Sequence, residues 1–350
     1  MSQRNSRFPR CADGFASIVQ SSRLAAALLL ALALSGTAIG SEHNRQLTVA
    51  CSAAERLCQW LERDELGLRG IELQIEHRPA AEVLAAMQAD PEHHGIDLWW
   101  GAPADRLRAA AESGLLQPIH PANLDQQLRW STELWRTTEQ QAVGISAATL
   151  GIIVNPIALS PTNLPAPRCW SDLGDPQYRG HLLLEDPALS SELFAAISLI
   201  RYQFDTAQAD RLLQEIRRNA QNGLDQNALR RVAVGDRGIT IAPIHEAVQL
   251  YSFYSPLVVH VPCEGTAFMV SGAAVPVTSS QFGPASAFIE YTLSSDFQSR
   301  VVEQVSPQIF SHPQATPSPI YQDRDYLHVI NHDAARLFSE EERNRVLGGW

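Results

Sequence analysis

The sequence predicts an α/β protein, and three observations carry that prediction. Short apolar runs of strand length alternate with helical periodicity over residues 47–116. Alternation of this kind builds a lobe around a largely parallel sheet flanked by helices. The chain has 350 residues, which suits two domains or one interrupted domain. At 45% hydrophobic and 19% charged it can bury an ordinary core, and it contains neither a low-complexity tract nor an internal repeat.

The elements follow in order. Residues 47–51 (LTVAC) read as a buried strand, and a helix over 53–66 places Leu57, Trp60 and Leu61 on one face. Residues 71–75 alternate apolar and polar, as a half-buried strand does. A helix over 80–88, a strand over 96–100 and a helix to 116 complete the run. Sheets of this kind bind ligands outside the carboxyl ends of their strands. That rule selects Ser52 after the first strand, His77 and Arg78 after the second, and Trp100 and Gly101 after the third. Trp99 and Trp100 face opposite sides of their strand, so one belongs to the core and the other walls a cleft.

Residues 165–194 (PAPRCWSDLGDPQYRGHLLLEDPALSSELF) organise the middle of the chain. Pro165, Pro167 and Pro176 block a regular helix, and Gly180 ends a turn. The apolar run 181–184 has strand length. Ser190 and Ser191 then stand where a helix begins, ahead of Leu193, Phe194, Ile197 and Ile200. A helix start offers unpaired N–H groups and a positive dipole end, which suits an anion. Serine is also a preferred helix cap for purely structural reasons. Beyond it the pattern predicts a helix over 206–220, a strand over 238–242 and a helix opening at Pro243. An extended return follows over 257–261, then one amphipathic helix over 284–298 and an irregular stretch over 301–319. A charged helical tail over 323–350 is capped at Ser339.

The N-terminus reads as an export signal. Arg4, Arg7, Arg10 and Arg23 precede an apolar core over 24–34 that is too short to span a bilayer. Ala38, Ile39 and Gly40 form a small-residue cleavage site, so the mature chain is expected to start near Ser41 in the periplasm. Cys11 leaves with the signal, while Cys51, Cys58, Cys169 and Cys263 enter an oxidising compartment with three pairings open to them. The formal net charge is -11, every basic residue is Arg, and there is no basic run, which argues against nucleic-acid binding. No GxSxG, HExxH, Walker or Rossmann glycine pattern marks an enzyme, and no cofactor is called for.

Residues Pro167, Trp170, Asp172, Leu173, Asp175, Pro176, Tyr178, Gly180, Asp186, Pro187 and Ser190 resemble the second-lobe entry of a known family. That family is the bacterial extracellular solute-binding proteins of ABC transporters, of the ferric-iron, phosphonate and sugar-phosphate type. Residues 97–105 (DLWWGAPAD), 144–156 (GISAATLGIIVNP) and 263–275 (CEGTAFMVSGAAV) fit it too, in family order over nearly the whole mature chain. The resemblance implies the two-lobe type II periplasmic-binding fold. A first lobe would comprise 41–145 plus 265–350 and a second 146–264, with hinge crossings near 142–154 and 260–266. It also favours the pairings Cys51–Cys58 and Cys169–Cys263, because the family layout sets Cys169 and Cys263 near the crossing.

The implied activity is capture, not catalysis. The solute would be a small anion such as a sugar phosphate, phosphonate or related organophosphate, delivered by a monomeric binding protein to an ABC permease. One alternative is a sensing partner of a membrane two-component kinase. Another is ferric-iron binding through Tyr251 and Tyr254, which stand where ferric relatives carry adjacent tyrosines. His245 and Glu246 match a His-Asp pair that faces the cleft in sugar-phosphate binders, with Glu in place of Asp. Glu264 lies at the return crossing, Ser146 and Thr149 lie at the first, and Arg78 replaces a Ser-Gly and adds an anion clamp. With Ser52, Trp100, Ser190 and Ser191 these residues form the expected ligand set.

Overall fold

The computed structural model describes residues 45–63, 70–220, 224–251, 256–322 and 340–350. The expected signal segment, Tyr254 and the expected cap Ser339 lie outside the described residues. Met1–Arg45 and Gln46–Trp350 are separate units, and the fold below is that of the second.

The chain opens with β1 (Arg45–Cys51), α1 (Glu55–Glu62), β2 (Ile71–His77), α2 (Ala80–Ala89), β3 (Leu98–Pro103) and α3 (Ala104–Glu112). These are the alternating elements expected, and β1 pairs parallel with β3. A short β4 (Leu116–Gln117) and the helix α4 (Arg129–Thr137) lead into β5 (Ala142–Val154), whose 13 residues are all buried. After the short α5 (Pro156–Leu159) come α6 (Ser191–Gln203), α7 (Thr206–Asn219), α8 (Ala228–Ala233), β6 (Ile239–Pro243), α9 (Ile244–Tyr251) and β7 (Val258–His260). The chain returns through β8 (Phe268–Pro276) and continues as α10 (Phe282–Thr292), α11 (Ser295–Gln304), β9 (Ile309–Phe310) and α12 (Glu340–Gly349).

Strand order β2-β1-β3-β8-β5-β6 makes the sheet mixed, because β8 runs antiparallel to both β3 and β5. Strands β5 and β8 pair from Ala142 with Ala274 to Thr149 with Phe268. They are therefore the two chain segments shared by both lobes. Strand β5 supplies Val143 and Ile145 to one core, with Leu47, Val49, Trp100, Phe288 and Phe297. It supplies Leu150 and Ile152 to another, with Trp170, Leu184, Phe194 and Ile239. The fold is a mixed α/β fold of two lobes joined by two strands, as in type II periplasmic binding proteins. The β5–β8 approach depends on Gly272, where an added Cβ would lie 2.2 Å from the Val143 carbonyl oxygen.

Three expectations need correction. The single helix expected over 284–298 is two helices, because Ser294 stops α10 and caps α11 by accepting from the Phe297 N–H at 3.3 Å. The run 181–184 makes only isolated bridges, Leu182 to Ile239 and Leu184 to Leu224. The tail does not stay with the first lobe: Val346 of α12 is buried in the second-lobe core, and Trp350 packs against it. Both favoured cysteine pairings are present as disulfides. No helix among the described residues is long and apolar enough to cross a membrane.

Candidate functional site

Where β5 and β8 cross between the lobes, the chain leaves an inner cavity of about 70 Å³. First-lobe residues Ser52, Trp100 and Gly101 line one side, and second-lobe residues Glu192, His245 and Glu246 line the other. A second cavity of about 240 Å³ adjoins it through Ala54 and Glu246, which line both. Arg56, Glu185 and Arg230 also line this outer space.

The first-lobe wall is set by strand ends. Ser52 follows β1 and its hydroxyl is already engaged, donating to the Arg78 carbonyl at 2.9 Å and accepting from Trp99 Nε1 at 2.8 Å. Trp99 is thus satisfied in the core. Trp100, 2% exposed, packs against Phe297 in the core and also lines the inner cavity, and its Nε1 has no partner. Gly101 lies within β3 with a φ of 72°, and a Cβ there would meet the Ala53 backbone nitrogen at 2.9 Å. A side chain at this position would push the strand end away from the turn that opens α1. The N-cap of α1 is Ala54, which offers no side-chain hydrogen bond to the first turn.

The second-lobe wall is set by helix starts. Helix α9 begins directly at the end of β6, so His245 and Glu246 occupy its first turn beside the cavity. His245 is 2% exposed, and burial pulls its pKa down to about 3, so the ring is neutral near pH 7. Its Nε2 lies 3.1 Å from the amide nitrogen of Gln308. Its Nδ1 is buried without a partner. Trp100 Nε1 and His245 Nδ1 are thus two buried ring nitrogens without partners, in residues that line one cavity.

Glu246 is pushed up to about 7, first by burial and then by the charge of Glu192, with Arg230 acting against both. Glu185 is pushed up to about 8 by burial and by Glu192. Burial also raises Glu192. Three carboxyls from three segments thus meet in one cleft, each held above the usual carboxylate range. Sequence reasoning named Glu246 alone. Glu192 was legible only as an acid in a first helical turn, and Glu185 carried no signal.

The remaining expected residues are placed differently. Ser190 caps α6, accepting from the Leu193 N–H at 3.1 Å and donating to Glu192 Oε2 at 3.1 Å. Ser190 and Ser191 are buried and line neither cavity. The Thr149 N–H donates to the Tyr321 hydroxyl at 3.2 Å, and Thr149 lies inside β5, away from both cavities. Arg78 lines neither. Its backbone N–H donates to the Cys51 carbonyl at 3.0 Å, and its charge acts on His94. Glu264 accepts from the Trp170 and Ser171 N–H groups at 2.7 and 2.9 Å, so it fastens the turn beside the Cys169–Cys263 bridge. Ser146, a lesser candidate in the first crossing, does line the inner cavity. Tyr251 is 54% exposed. Cys169, Cys263 and Glu264 have ligand-like spacing, but both thiols are spent in the disulfide.

Comparison with known proteins places these features in context. A family model described as bacterial extracellular solute-binding protein matches residues 104–336. An uncharacterized protein of Haemophilus influenzae is 25% identical over 328 residues, spanning 91% of this chain and 94% of that one. The phosphoglycerate transport regulatory protein PgtC of Salmonella typhimurium is 34% identical over 55 residues, 16% of this chain and 14% of PgtC. The structure is similar to that of the periplasmic binding protein P5PA, with a TM-score of 0.81 and 21% identity over 87% of this chain and 98% of P5PA. It is similar to AfuA from Actinobacillus pleuropneumoniae with fructose-6-phosphate bound, with a TM-score of 0.79 and 22% identity over 87% and 97% of the two chains. It is also similar to iron-bound HitA from Pseudomonas aeruginosa, with a TM-score of 0.71 and 19% identity over 87% and 99%.

Proposed function

The chain belongs to the bacterial extracellular solute-binding protein family, and from that premise we propose that it captures a small anionic solute for an ABC permease. The family is one of binding and transport outside the cytoplasm. The finer reading is that a sugar phosphate, phosphonate or related organophosphate fills the interlobe cavities. One observation carries it: Trp100 Nε1 and His245 Nδ1 are buried without partners, in residues that line the inner cavity from its two sides. A buried donor left unmade costs about 1–3 kcal/mol, and a ligand oxygen that reaches Trp100 Nε1 removes that cost. The inner cavity is lined from both lobes, so a ligand held there shifts an open–closed equilibrium toward closure.

The proteins whose names mention phosphorylated solutes, AfuA and PgtC, support this ligand class. The ferric alternative draws support from HitA. We propose lobe boundaries near 145 and 265, with α12 assigned to the second lobe because its Val346 is buried in that core.

A thermal-shift screen of the mature chain tests the reading, with glucose 6-phosphate, 3-phosphoglycerate, a phosphonate and ferric citrate. A ligand at about 100 times its Kd adds about 2.7 kcal/mol, a clear rise in Tm. The expected result is a rise with a phosphorylated solute that shrinks in Trp100→Phe. A rise with ferric citrate alone, or with none of the four, overturns the anion assignment.

A further inference from the structure

We propose that Arg56 of the first lobe and Arg230 of the second clamp the phosphoryl group of the solute in the outer cavity, while the rest of the solute reaches past Glu246 into the inner one. This deepens the organophosphate reading and rests on it.

Two guanidinium groups line the outer cavity, one from each lobe. Arg56 belongs to the first turn of α1, next to Leu57, which is buried in the first-lobe core with Val49 and Trp100. Arg230 belongs to α8, next to Leu229, which is buried with Ile153 and Leu183 of the second lobe. Each arginine is itself exposed, on a backbone that its neighbour anchors. Neither makes an ion pair or a side-chain hydrogen bond among the described residues. Arg231, the next residue along the chain, is by contrast held by Asp225 at 2.7 Å and by Asp236 at 3.0 Å. Arg78, where the sequence suggested an anion clamp, lines neither cavity.

The carboxyls on the same walls do not cancel this pair. Burial pushes Glu185 up to about 8 and Glu246 up to about 7. Near pH 7 both therefore keep a proton for much of the time, while the guanidinium groups stay charged. A carboxyl that keeps its proton donates a hydrogen bond, and a phosphoryl oxygen accepts one. Glu55 is exposed and accepts from the Gln59 side-chain amide at 3.2 Å along its own helix.

A phosphoryl group presents several oxygens, so it takes a guanidinium from each lobe at once. Two like charges brought together by closure repel each other until an anion sits between them. The pair therefore opposes closure of the empty cleft and favours closure of the filled one. Ala54 and Glu246 line both cavities, so the outer space continues into the inner one, where the remainder of the solute meets Trp100 and Ser146.

Isothermal titration calorimetry of the mature chain tests the clamp, with glucose 6-phosphate, 3-phosphoglycerate and methylphosphonate as probes. Arg56→Gln and Arg230→Gln should each raise the Kd of a probe that binds by about tenfold, since each removes a hydrogen bond between charged groups. The double variant should lose more than either. Arg179 is exposed and lines neither cavity, so Arg179→Gln makes the same change of net charge and should bind as the wild type does. Added salt should weaken the wild type more than the double variant, because fewer charges remain at the site to be screened. The replaced side chains are exposed, and an unchanged ligand-free Tm verifies that the variants fold. Losses at Arg56 and Arg230 no larger than that at Arg179, or a loss confined to one of the two, overturn the clamp and leave the phosphate reading standing. Binding of none of the three probes overturns both.

Discussion

At the scale of single residues, burial without a partner is the recurring feature of the cleft. Glu246 and His245 are neighbours in one helical turn, yet burial drives them in opposite directions, to about 7 and about 3. In both cases it favours the neutral form. A carboxyl with a raised pKa binds its proton more tightly in the folded chain than in the unfolded one. Its ionisation therefore costs stability as pH rises from the ordinary value of 4.5 toward 7. The histidine acts the other way, costing stability as pH falls from 6.5 toward 3. A Glu246→Gln variant isolates the first effect, because the histidine contribution is common to both proteins. The ligand-free variant should match the wild type in Tm at pH 5 and exceed it at pH 8. A Tm difference that does not change with pH would show that Glu246 is ionised throughout.

At the scale of elements, strand ends and helix starts were legible because they depend on local pattern. Ser52 and His245 sit just past the ends of β1 and β6, whereas β3 runs on to Pro103 and Trp100 lies within it; all three line the inner cavity. Ser190 was expected to meet an anion at a helix start, and its hydroxyl is committed to capping that helix; local pattern says nothing of which way a cap faces. Glu185 escaped notice because its role depends on α8 and α9 coming together far along the chain. The break between α10 and α11 escaped for a different reason, since one apolar stripe runs through both and only Ser294 marks the stop. The disulfides test how far the elements depend on cross-links. Loop-closure entropy scales with the logarithm of loop length, and the separations are 94 residues for Cys169–Cys263 and 7 for Cys51–Cys58. Paired Cys→Ala replacement should cost about 4–5 kcal/mol at Cys169 and Cys263 and about half that at Cys51 and Cys58. Chemical denaturation of the two double variants checks the order. An equal loss at both would mean that strain or residual structure outweighs chain entropy.

At the scale of the whole fold, a buried ion network ties the lobes together beside the cleft. Asp105 and Arg106 open α3, whose Leu107 and Ala110 lie in a first-lobe core. Both are buried, at 3% and 6% exposure. Asp105 pairs with Arg106 at 3.4 Å and with Arg343 of α12. Arg343 also stacks over the Phe194 ring in the second lobe. The Arg106 Nη2 donates to the Ala188 carbonyl at 2.7 Å, just ahead of α6. The same two residues act on Glu192, one raising and one lowering its pKa. The network that joins the lobes therefore shares a carboxyl with the cavity, and closure and ligand charge act on the same group. Removing Arg106 leaves Asp105 paired with Arg343 alone and takes away the donor to the Ala188 carbonyl, so part of the cost of breaking a buried pair falls on the contact between the lobes. Separation of the lobes lets water reach Asp105, so an Arg106→Met variant should relieve that cost by opening. Its ligand-free radius of gyration in solution scattering should exceed that of the wild type. Its apparent Kd should rise in proportion to the closed population lost, and saturating ligand should restore the wild-type radius. An unchanged radius with an unchanged Kd would place this network in the stability of α3 alone and leave closure to the two strands that join the lobes.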